Sequence, residues 1–346
     1  VQYFWFLHSN GFLPLYYKKK EVGKNWKEEC IQYIFSWVKT FDQTNLWVRQ
    51  KFNYFYKKLV SQKYNKMQSE KIIERIVSWL KDYAEKAGVK GYVIGVSGGV
   101  DSGVVSTLCA MTGLKVLALE MPIRQQKDQV SRALEHIEFL KNKFPNVEGF
   151  SVDLNEPFEA LYKTFDVKDD EFPAEKLAFA NTRSRLRMLT LYYYGQINGL
   201  LVCGTGNKVE DFGIGFYTKY GDGGVDVSPI ADLYKTEVYA LARALDLPES
   251  IKNAIPTDGL WDVDRTDEQQ IGATYPELEK IQKEWGTKTE SDYSGRDLEV
   301  YKIFSRMHKA AQHKMNPIPV CDIPEEWRDW IKMGALETWN KIYGKK

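Results

Sequence analysis

Apolar and polar positions in this chain follow two different periods, and the two periods alternate along the sequence. Between residues 69 and 88, apolar side chains recur every three to four positions, which is typical of an amphipathic helix. Ser69 is a suitable cap for its first turn, and Gly88 is a suitable end. A short β-branched run follows at Tyr92–Val96, and we expect it to be a buried parallel strand.

The same order of a short apolar run and a longer helical segment repeats toward residue 245. The further strands are expected at Lys115–Met121, Val147–Val152 and Leu200–Gly204. The further helices are expected at Gly103–Met111, Lys127–Lys143, Leu177–Tyr194 and Leu233–Leu245. Strands that alternate with helices at this spacing predict an α/β fold, with a doubly wound parallel sheet flanked by helices. Segment 258–294 is polar and poorly periodic, so we expect a mobile region there with one short helix around Tyr275–Trp285.

Two glycine-rich turns directly follow predicted strands. One reads SGGVDS at residues 97–102, and the other reads GTGN at residues 204–207. In doubly wound sheets, ligands bind outside the carboxyl ends of the strands, near a switch in strand order. We therefore expect both turns to face one site.

The SGGVDS turn has the composition of a phosphate-binding loop. It leads from a strand into a helix, so its backbone N–H groups lie at a helix N-terminus, which attracts anions. Gly98 and Gly99 permit close approach of a phosphate, and Ser97 and Ser102 add hydroxyl donors. Asp101 would repel a phosphate unless a cation lies between them, which indicates Mg²⁺. The alternative is a plain turn with a capping aspartate, which requires only one glycine and one polar residue.

This loop is not the GxxxxGK[ST] phosphate loop, because no lysine follows its glycines. It resembles the SGGxDS loop of the N-type ATP pyrophosphatases, which holds the β- and γ-phosphates of ATP and exposes the α-phosphate. The resemblance implies their fold, which is adenine nucleotide α-hydrolase-like and similar to the Rossmann fold. Synthetases of several kinds and tRNA-modifying enzymes share this loop, so it does not choose among them.

Three more distant motifs do distinguish between these enzymes. Residues 204–224 form a glycine-rich, charged stretch whose block GFYTKYGDGG resembles the NAD synthetase family. The alternative for this stretch is a mobile surface loop. NTRSRLRM at 181–188 and QHKMNP at 312–317 resemble further segments of the same family, in the same order. The resemblance covers about Met67 to Trp327.

The resemblance implies a set of site residues. The ATP-binding positions are Ser97, Gly98, Gly99, Val100, Asp101, Ser102, Gly103, Gln126, Thr205, Lys235 and Thr257. The Mg²⁺ ligands are Asp101 and Glu210. The contacts to deamido-NAD are Asn181, Arg185, Phe216, Lys219, Asp222, His313 and Lys314. We expect Asp101, Lys235 and Asp222 to be the catalytic residues, with Asp222 orienting or deprotonating ammonia.

The implied reaction is the ATP- and Mg²⁺-dependent amidation of deamido-NAD to NAD by ammonia, through an acyl adenylate, with release of AMP and pyrophosphate. We expect ammonia to be free or delivered by a separate protein, because the residues before Met67 are too few for an amidase domain. The family also implies a homodimer in the cytoplasm. We expect neither a nucleic acid nor a membrane as a partner.

The sequence departs from the family pattern in a few places. Glu120 stands where small bacterial members usually have an arginine, and Arg124 is a nearby candidate to replace that ATP contact. Val100 stands where glutamine is common. The segment 205–219 is one residue longer than in the shortest members.

Residues 1–66 differ sharply in composition from the rest of the chain. They hold 12 Lys/Arg and 4 Asp/Glu, a net charge of +8, whereas the remainder holds 36 and 43, a net charge of −7. They also hold 18 of the 48 aromatic residues and no alanine or methionine. Three hypotheses remain: an extension that binds nucleic acid, a small helical interaction module, or sequence that is not part of the native protein. We favour the third, with a domain of residues 67–346, because the segment resembles translated AT-rich sequence.

The cysteines and the hydropathy exclude several further classes. The four cysteines are far apart and form no CxxC or Cys/His cluster, so we expect reduced thiols rather than a zinc site or disulfides. No apolar run is long enough to cross a bilayer.

The rival function is a tRNA-modifying enzyme of the same loop family, with residues 1–66 binding RNA.

Overall fold

The structure is a computed structural model that describes residues 4–8, 11–15, 68–125, 127–165, 173–257 and 266–344. Contacts divide the chain into two units, Val1–Met67 and Gln68–Lys346. The described part of the first unit is an antiparallel hairpin of β1 (Phe4–His8) and β2 (Gly11–Leu15). The other expectations for residues 1–66 lie outside the described residues.

The second unit is built on a four-stranded parallel sheet. Its strands are β3 (Gly91–Gly95), β4 (Lys115–Glu120), β5 (Val147–Ser151) and β6 (Leu200–Val202). Their order is β5-β4-β3-β6, and every neighbouring pair is parallel. The chain moves outward from β3 to β5 and then returns to the other side of β3, so the switch in strand order lies beside β3. The predicted α/β fold is confirmed.

Helices cover both faces of this sheet. They are α1 (68–87), α2 (Val100–Met111), α3 (Lys127–Lys143), α4 (Asn155–Thr164), α5 (Pro173–Asn198) and α6 (Lys235–Ala244). The longest, α5, extends beyond the predicted 177–194 at both ends. It ends where Gly199 takes a left-handed conformation with φ +68°, which favours glycine.

Successive residues of β3 enter different cores. Tyr92 and Ile94 lie in one core with Leu80 of α1 and Leu108 of α2, whereas Val93 faces the core that includes Phe158 of α4. This period of two is what a strand with both faces covered requires. The sheet is therefore packed between two helical layers.

The rest of the second unit is mainly helical. Its elements are a π-helix (Lys208–Ile214), α7 (Glu249–Lys252), α8 (Asp267–Ile271), α9 (Tyr275–Glu284), a 3₁₀ turn (Glu290–Asp292), α10 (Gly295–Ala310), α11 (Gln312–Met315) and α12 (Glu325–Tyr343). In the part of the chain that the structure describes, no helix is long and apolar enough to span a membrane.

A third core lies around the π-helix and α9. It joins Val209 and Ile214 of the π-helix to Leu278 and Ile281 of α9, and Phe304 of α10 closes it. The expectation of a mobile, poorly structured segment is therefore corrected for residues 266–294. The helix expected around 275–285 is present, and α8 precedes it; both pack because a few apolar residues at helical spacing supply a buried face.

Candidate functional site

A cleft opens at the carboxyl ends of β3, β4 and β6, and both glycine-rich turns line it as predicted. The predicted site residues that line it are Ser97, Gly99, Val100, Asp101, Ser102, Thr205, Glu210, Phe216, Asp222, Lys235 and Thr257. The predicted residues that do not line it are Gly98, Gly103, Asn181, Arg185, Lys219, His313 and Lys314. Gln126 lies outside the described residues.

The loop after β3 is held in shape by its own serines. The Ser102 hydroxyl accepts from the Ser97 N–H at 3.2 Å and donates to the Gly99 carbonyl at 3.0 Å. Gly98 has φ +82°, and a Cβ there would lie 2.8 Å from the Gln129 carbonyl oxygen. Only glycine fits this close approach to α3.

The N-terminus of α2 faces the cleft without a side-chain cap. Its N-cap is Gly99, which has no side chain to accept the first N–H groups of the helix. Val100, Asp101 and Ser102 open the helix and line the cleft. Free N–H groups and a helix dipole that point into a cleft form a site for a phosphate.

Three charged side chains meet beside this N-terminus, and we call Asp101, Glu210 and Lys235 the carboxylate–lysine cluster. The Lys235 ammonium donates to Asp101 Oδ2 at 2.5 Å and to Glu210 Oε1 at 2.9 Å. The Lys235 side chain is 5% exposed, and those of Asp101 and Glu210 are 16% and 17% exposed. Asn207 adds a weaker bond to Asp101 Oδ1 at 3.3 Å.

Burial and charge act against each other in this cluster. Burial would raise the pKa of Glu210, but the Lys235 ammonium outweighs it, and the pKa of Glu210 falls below its usual value. Burial would lower the pKa of Lys235, but the two carboxylates hold it above its ordinary value. The lysine is therefore a permanent cation between the two acids.

The donor set of the cluster fits Mg²⁺ that arrives together with phosphate oxygens. Mg²⁺ in nucleotide sites is bound by one or two carboxylates and completes its shell with phosphates and water. Asp101 and Glu210 supply two carboxylates, one from each turn region of the cleft. Among the described residues, no group of three or more His, Cys, Asp or Glu side chains could hold a metal by itself.

The opposite side of the cleft is a loop, residues 215–222, that is fastened to α5. The Ser184 hydroxyl donates to Asp222 Oδ1 at 2.7 Å, and the Thr218 N–H donates to the same oxygen at 3.0 Å. The Thr218 hydroxyl donates to Asn181 Oδ1 at 2.6 Å. Burial raises the pKa of Asp222 above its ordinary value. Asn181 therefore positions the loop, whereas the Asp222 carboxylate lines the cleft.

The lysines expected to contact deamido-NAD hold the same loop from its other side. The Lys314 ammonium donates to the carbonyls of Gly215 and Tyr217, and the Lys219 ammonium donates to the carbonyl of His313. Gly215 has φ +62°, and a Cβ there would lie 2.1 Å from the Cβ of Ala311. In this structure the QHK segment therefore acts on the shape of the 215–222 loop.

Glu120, Arg124 and Arg187 lie in different surroundings at the end of β4 and in the neighbouring helices. Glu120 is 3% exposed and accepts a hydrogen bond from Ser151, and burial raises its pKa. Arg124 pairs with Glu159 on α4 at 2.7 Å and does not line the cleft. Arg187 of α5 does line the cleft, where its guanidinium donates to the Met121 carbonyl at 3.0 Å. Among the described residues, Arg187 is the arginine that lines this end of the cleft.

A π-helix at Lys208–Ile214 lies beside the cleft. A π-helix holds one more residue per turn than an α-helix and is common at functional sites. Here it places two consecutive acids, Glu210 and Asp211, on the cleft. A Cβ on Gly206 would lie 1.9 Å from Asp211 Oδ2, so the glycine is needed beside it. Burial, together with Glu210, raises the pKa of Asp211 well above its ordinary value. Asp211 therefore lines the cleft, although no sequence motif singled it out.

Comparison with protein families gives one match over most of the chain. The family described as NAD synthase matches residues 72–318. The chain is similar to the NH(3)-dependent NAD(+) synthetase of Finegoldia magna, with 38% identity over 244 residues, which is 70% of this chain and 94% of that protein.

Two solved structures are similar in fold. The NMN synthetase from Francisella tularensis shares 32% identity with a TM-score of 0.63, over 74% of this chain and 98% of that one. The NH3-dependent NAD synthetase from Campylobacter jejuni shares 26% identity with a TM-score of 0.59, over 73% of this chain and 99% of that one.

Proposed function

The chain belongs to the NAD synthase family and is a ligase, and from that premise we propose that it amidates deamido-NAD with ammonia through an acyl adenylate. The observation that carries this proposal is the carboxylate–lysine cluster beside the uncapped N-terminus of α2. At one end of the cleft, the helix N-terminus supplies N–H groups that can bind a phosphate, and the cluster supplies two carboxylates and a cation. The 215–222 loop forms the other end, where an acceptor for the adenylyl group would lie.

In the first step, an oxygen of the nicotinate carboxylate attacks the α-phosphorus of ATP, and pyrophosphate leaves. The loop at 97–102 binds the β- and γ-phosphates through its N–H groups and its serine hydroxyls. Lys235 stabilises the charge that collects on the leaving pyrophosphate. Positioning and charge supply most of the rate enhancement, because no side chain has to form a covalent bond.

In the second step, ammonia attacks the acyl carbon, the bond to AMP breaks and NAD forms. The nitrogen loses a proton in this step, and Asp222 is the carboxylate of the 215–222 loop that faces the cleft to accept it. A raised pKa suits this role, since a stronger base accepts the proton more readily.

Asp101 and Glu210 would hold Mg²⁺, and when bound this ion neutralises phosphate charge and orients the leaving group. Asn207 bonds Asp101, and Lys235 bonds both carboxylates, so these two side chains orient the acids for that role. ATP is the co-substrate in this scheme.

The experiment is direct. Purified protein is mixed with Mg-ATP, deamido-NAD and ammonium, and NAD, AMP and pyrophosphate are measured together. Equal amounts of the three products are expected, and AMP without NAD would rule out the amidation step. Omitting ammonium while adding radiolabelled pyrophosphate tests the adenylate, because its formation predicts exchange of label into ATP.

The similarity to the Francisella tularensis NMN synthetase supports a second substrate for the same assay. Nicotinate mononucleotide carries the same carboxylate without the adenylyl half, so it is run beside deamido-NAD. We propose deamido-NAD as the preferred substrate, and a higher kcat/KM for the mononucleotide would overturn that choice. The tRNA-modifying alternative is not favoured by these relatives.

Three broader proposals accompany this function. A homodimer is supported by a stripe of exposed apolar residues on α5, Leu189, Tyr193 and Ile197, which light scattering on the purified protein can test. A cytoplasmic location is supported by the four cysteines, which are far apart in sequence and form no CxxC motif. The proposal that residues 1–66 are not native is tested by expressing residues 67–346 and comparing NAD formation.

A further inference from the structure

Tyr275 contacts two members of the carboxylate–lysine cluster. Neither the sequence motifs nor the proposed reaction assign this tyrosine a role. Its hydroxyl donates to Glu210 Oε1 at 2.6 Å. Its ring lies 4.9 Å from the Lys235 ammonium, as a cation–π contact. The residue is 3% exposed. One side chain therefore contacts both the acid and the cation of the cluster.

The fold fixes this tyrosine firmly in place. It opens α9, where Thr274 and Glu277 form a capping box, and its own N–H donates to Glu268 at 2.8 Å. Its ring belongs to the third core, beside Leu278. A side chain anchored by a helix start and a core can hold its hydroxyl at a constant position.

The hydroxyl has one hydrogen and two acceptors within reach. Glu210 Oε1 lies at 2.6 Å and Asp267 Oδ2 at 3.3 Å, so the hydrogen bond goes to Glu210. The same Oε1 atom accepts from Lys235 at 2.9 Å. Lys235 alone would leave the orientation of Glu210 coupled to that of Asp101, since one ammonium serves both carboxylates. The tyrosine adds a bond to Glu210 that does not involve Asp101.

We propose that Tyr275 is a positioning residue that orients Glu210 so that Glu210 and Asp101 bind a divalent cation together with ATP. This inference rests on the proposed function, which assigns the two carboxylates to Mg²⁺. Outer partners of metal-binding carboxylates typically change metal affinity by about 10- to 100-fold when they are removed.

The test is Tyr275→Phe, which keeps the ring, its contact with Lys235 and the core packing. Mn²⁺ replaces Mg²⁺ as a probe, and its binding is measured by electron paramagnetic resonance with a non-hydrolysable ATP analogue present. We expect the variant to bind Mn²⁺ about 10-fold or more weakly than the wild type. In turnover, the Mg²⁺ concentration for half-maximal rate should rise while KM for deamido-NAD stays constant.

The matched control is Tyr293→Phe. Tyr293 belongs to the same core and is 8% exposed, but it does not line the cleft or contact the cluster. It should leave Mn²⁺ binding unchanged. If both variants weaken Mn²⁺ binding equally, Tyr275 has only a structural role and the inference is overturned. Wild-type affinity in Tyr275→Phe overturns it as well.

The outcome separates this inference from the proposed function. If the wild type forms NAD and binds Mn²⁺ with the nucleotide, the comparison of variants judges Tyr275 alone. If the wild type forms no NAD, the proposed function fails, whatever the variants bind. If the wild type forms NAD but binds no Mn²⁺, the metal assignment and the role of Tyr275 fail together.

Discussion

The two ends of the cleft use their lysines in different ways. In the carboxylate–lysine cluster, Lys235 neutralises two acids that are themselves directed into the cleft. Around the 215–222 loop, Lys219 and Lys314 bind backbone carbonyls instead. At the first end the lysine pairs with carboxylates that line the cleft, and at the second end the lysines bond the backbone in and beside a loop.

This difference has a physical reason. Buried carboxylates need a cation, because an isolated charge is costly to remove from water. Loop carbonyls need only donors, and an ammonium supplies several at once. Changes at the cluster should therefore reduce kcat, whereas changes at the 215–222 loop should act mainly on KM. The following predictions test this distinction, from the largest expected effect to the smallest.

Asp101→Asn should reduce kcat for NAD formation on the order of 10³-fold, because it removes a carboxylate from the reacting end while keeping its size. The measurement is steady-state NAD formation at saturating substrates. Asp82→Asn, on the exposed face of α1, is the control and should leave kcat unchanged. Near-normal turnover of Asp101→Asn would remove this residue from the catalytic set.

Lys235→Met should reduce kcat at least about 10²-fold and should also destabilise the protein, by about 3–5 kcal/mol, because it leaves two buried carboxylates without a cation. Urea unfolding measures the stability, with exposed Lys81→Met as the control. If Lys235→Met loses kcat but keeps the wild-type free energy of unfolding, Lys235 does not stabilise the two buried carboxylates in the folded protein.

The pH dependence of the wild type follows from the same cluster. The pKa of Glu210 is lowered on folding, so its contribution to stability is complete above its ordinary pKa of 4.5 and decreases as the pH falls below it. The gap in stability between the wild type and Lys235→Met should therefore narrow in acid. A gap that is constant from pH 7 to pH 3.5 would show that Glu210 is not paired with Lys235.

Lys314→Met should raise KM for deamido-NAD about 10-fold and change kcat little. It removes the bonds to the Gly215 and Tyr217 carbonyls, and hydrogen bonds to charged groups contribute about 1.5–3 kcal/mol each. Lys309→Met, at the exposed end of α10, is the control. A large fall in kcat with KM unchanged would indicate that Lys314 acts in the catalytic step. The proposed difference between the two ends of the cleft would then be wrong.

Arg187→Met should raise KM for ATP by a few-fold, roughly 5, because Arg187 lines the cleft beside Glu120 and contacts the backbone at Met121. Arg124→Met is its natural control, since Arg124 pairs with Glu159 on the surface of α4. If Arg124→Met has the larger effect on KM for ATP, the assignment of the two arginines is reversed.

The fold could be predicted because its signals are local. The period of the apolar positions identified β3, β4, β5 and β6 and most of the helices between them to within a few residues, but it missed α4. The prediction was weakest at segment 258–294, where a few apolar residues in a polar background build part of a third core. These few apolar residues of α9 are buried because they pack against the π-helix.

The sequence predicted which segments line the site, but it did not predict the side-chain contacts between them. The glycine-rich turns identified the loop at 97–102 and the region of Glu210, since backbone demands of this kind are visible in sequence. The sequence did not indicate the π-helix at Lys208–Ile214, which places Asp211 on the cleft. Nothing local indicated that Lys314 would bind the carbonyls of Gly215 and Tyr217.

The sequence by itself determined the alternation of strands and helices, the phosphate-binding turn and the family to which both belong. These follow from short stretches in which periodicity and glycine placement restrict the backbone directly. Only the tertiary structure decided that Lys235 meets Asp101 across 134 positions, that Tyr275 supports Glu210, and that Arg187 rather than Arg124 lines the cleft. Such contacts depend on strand order and helix packing, which arise from the whole chain at once.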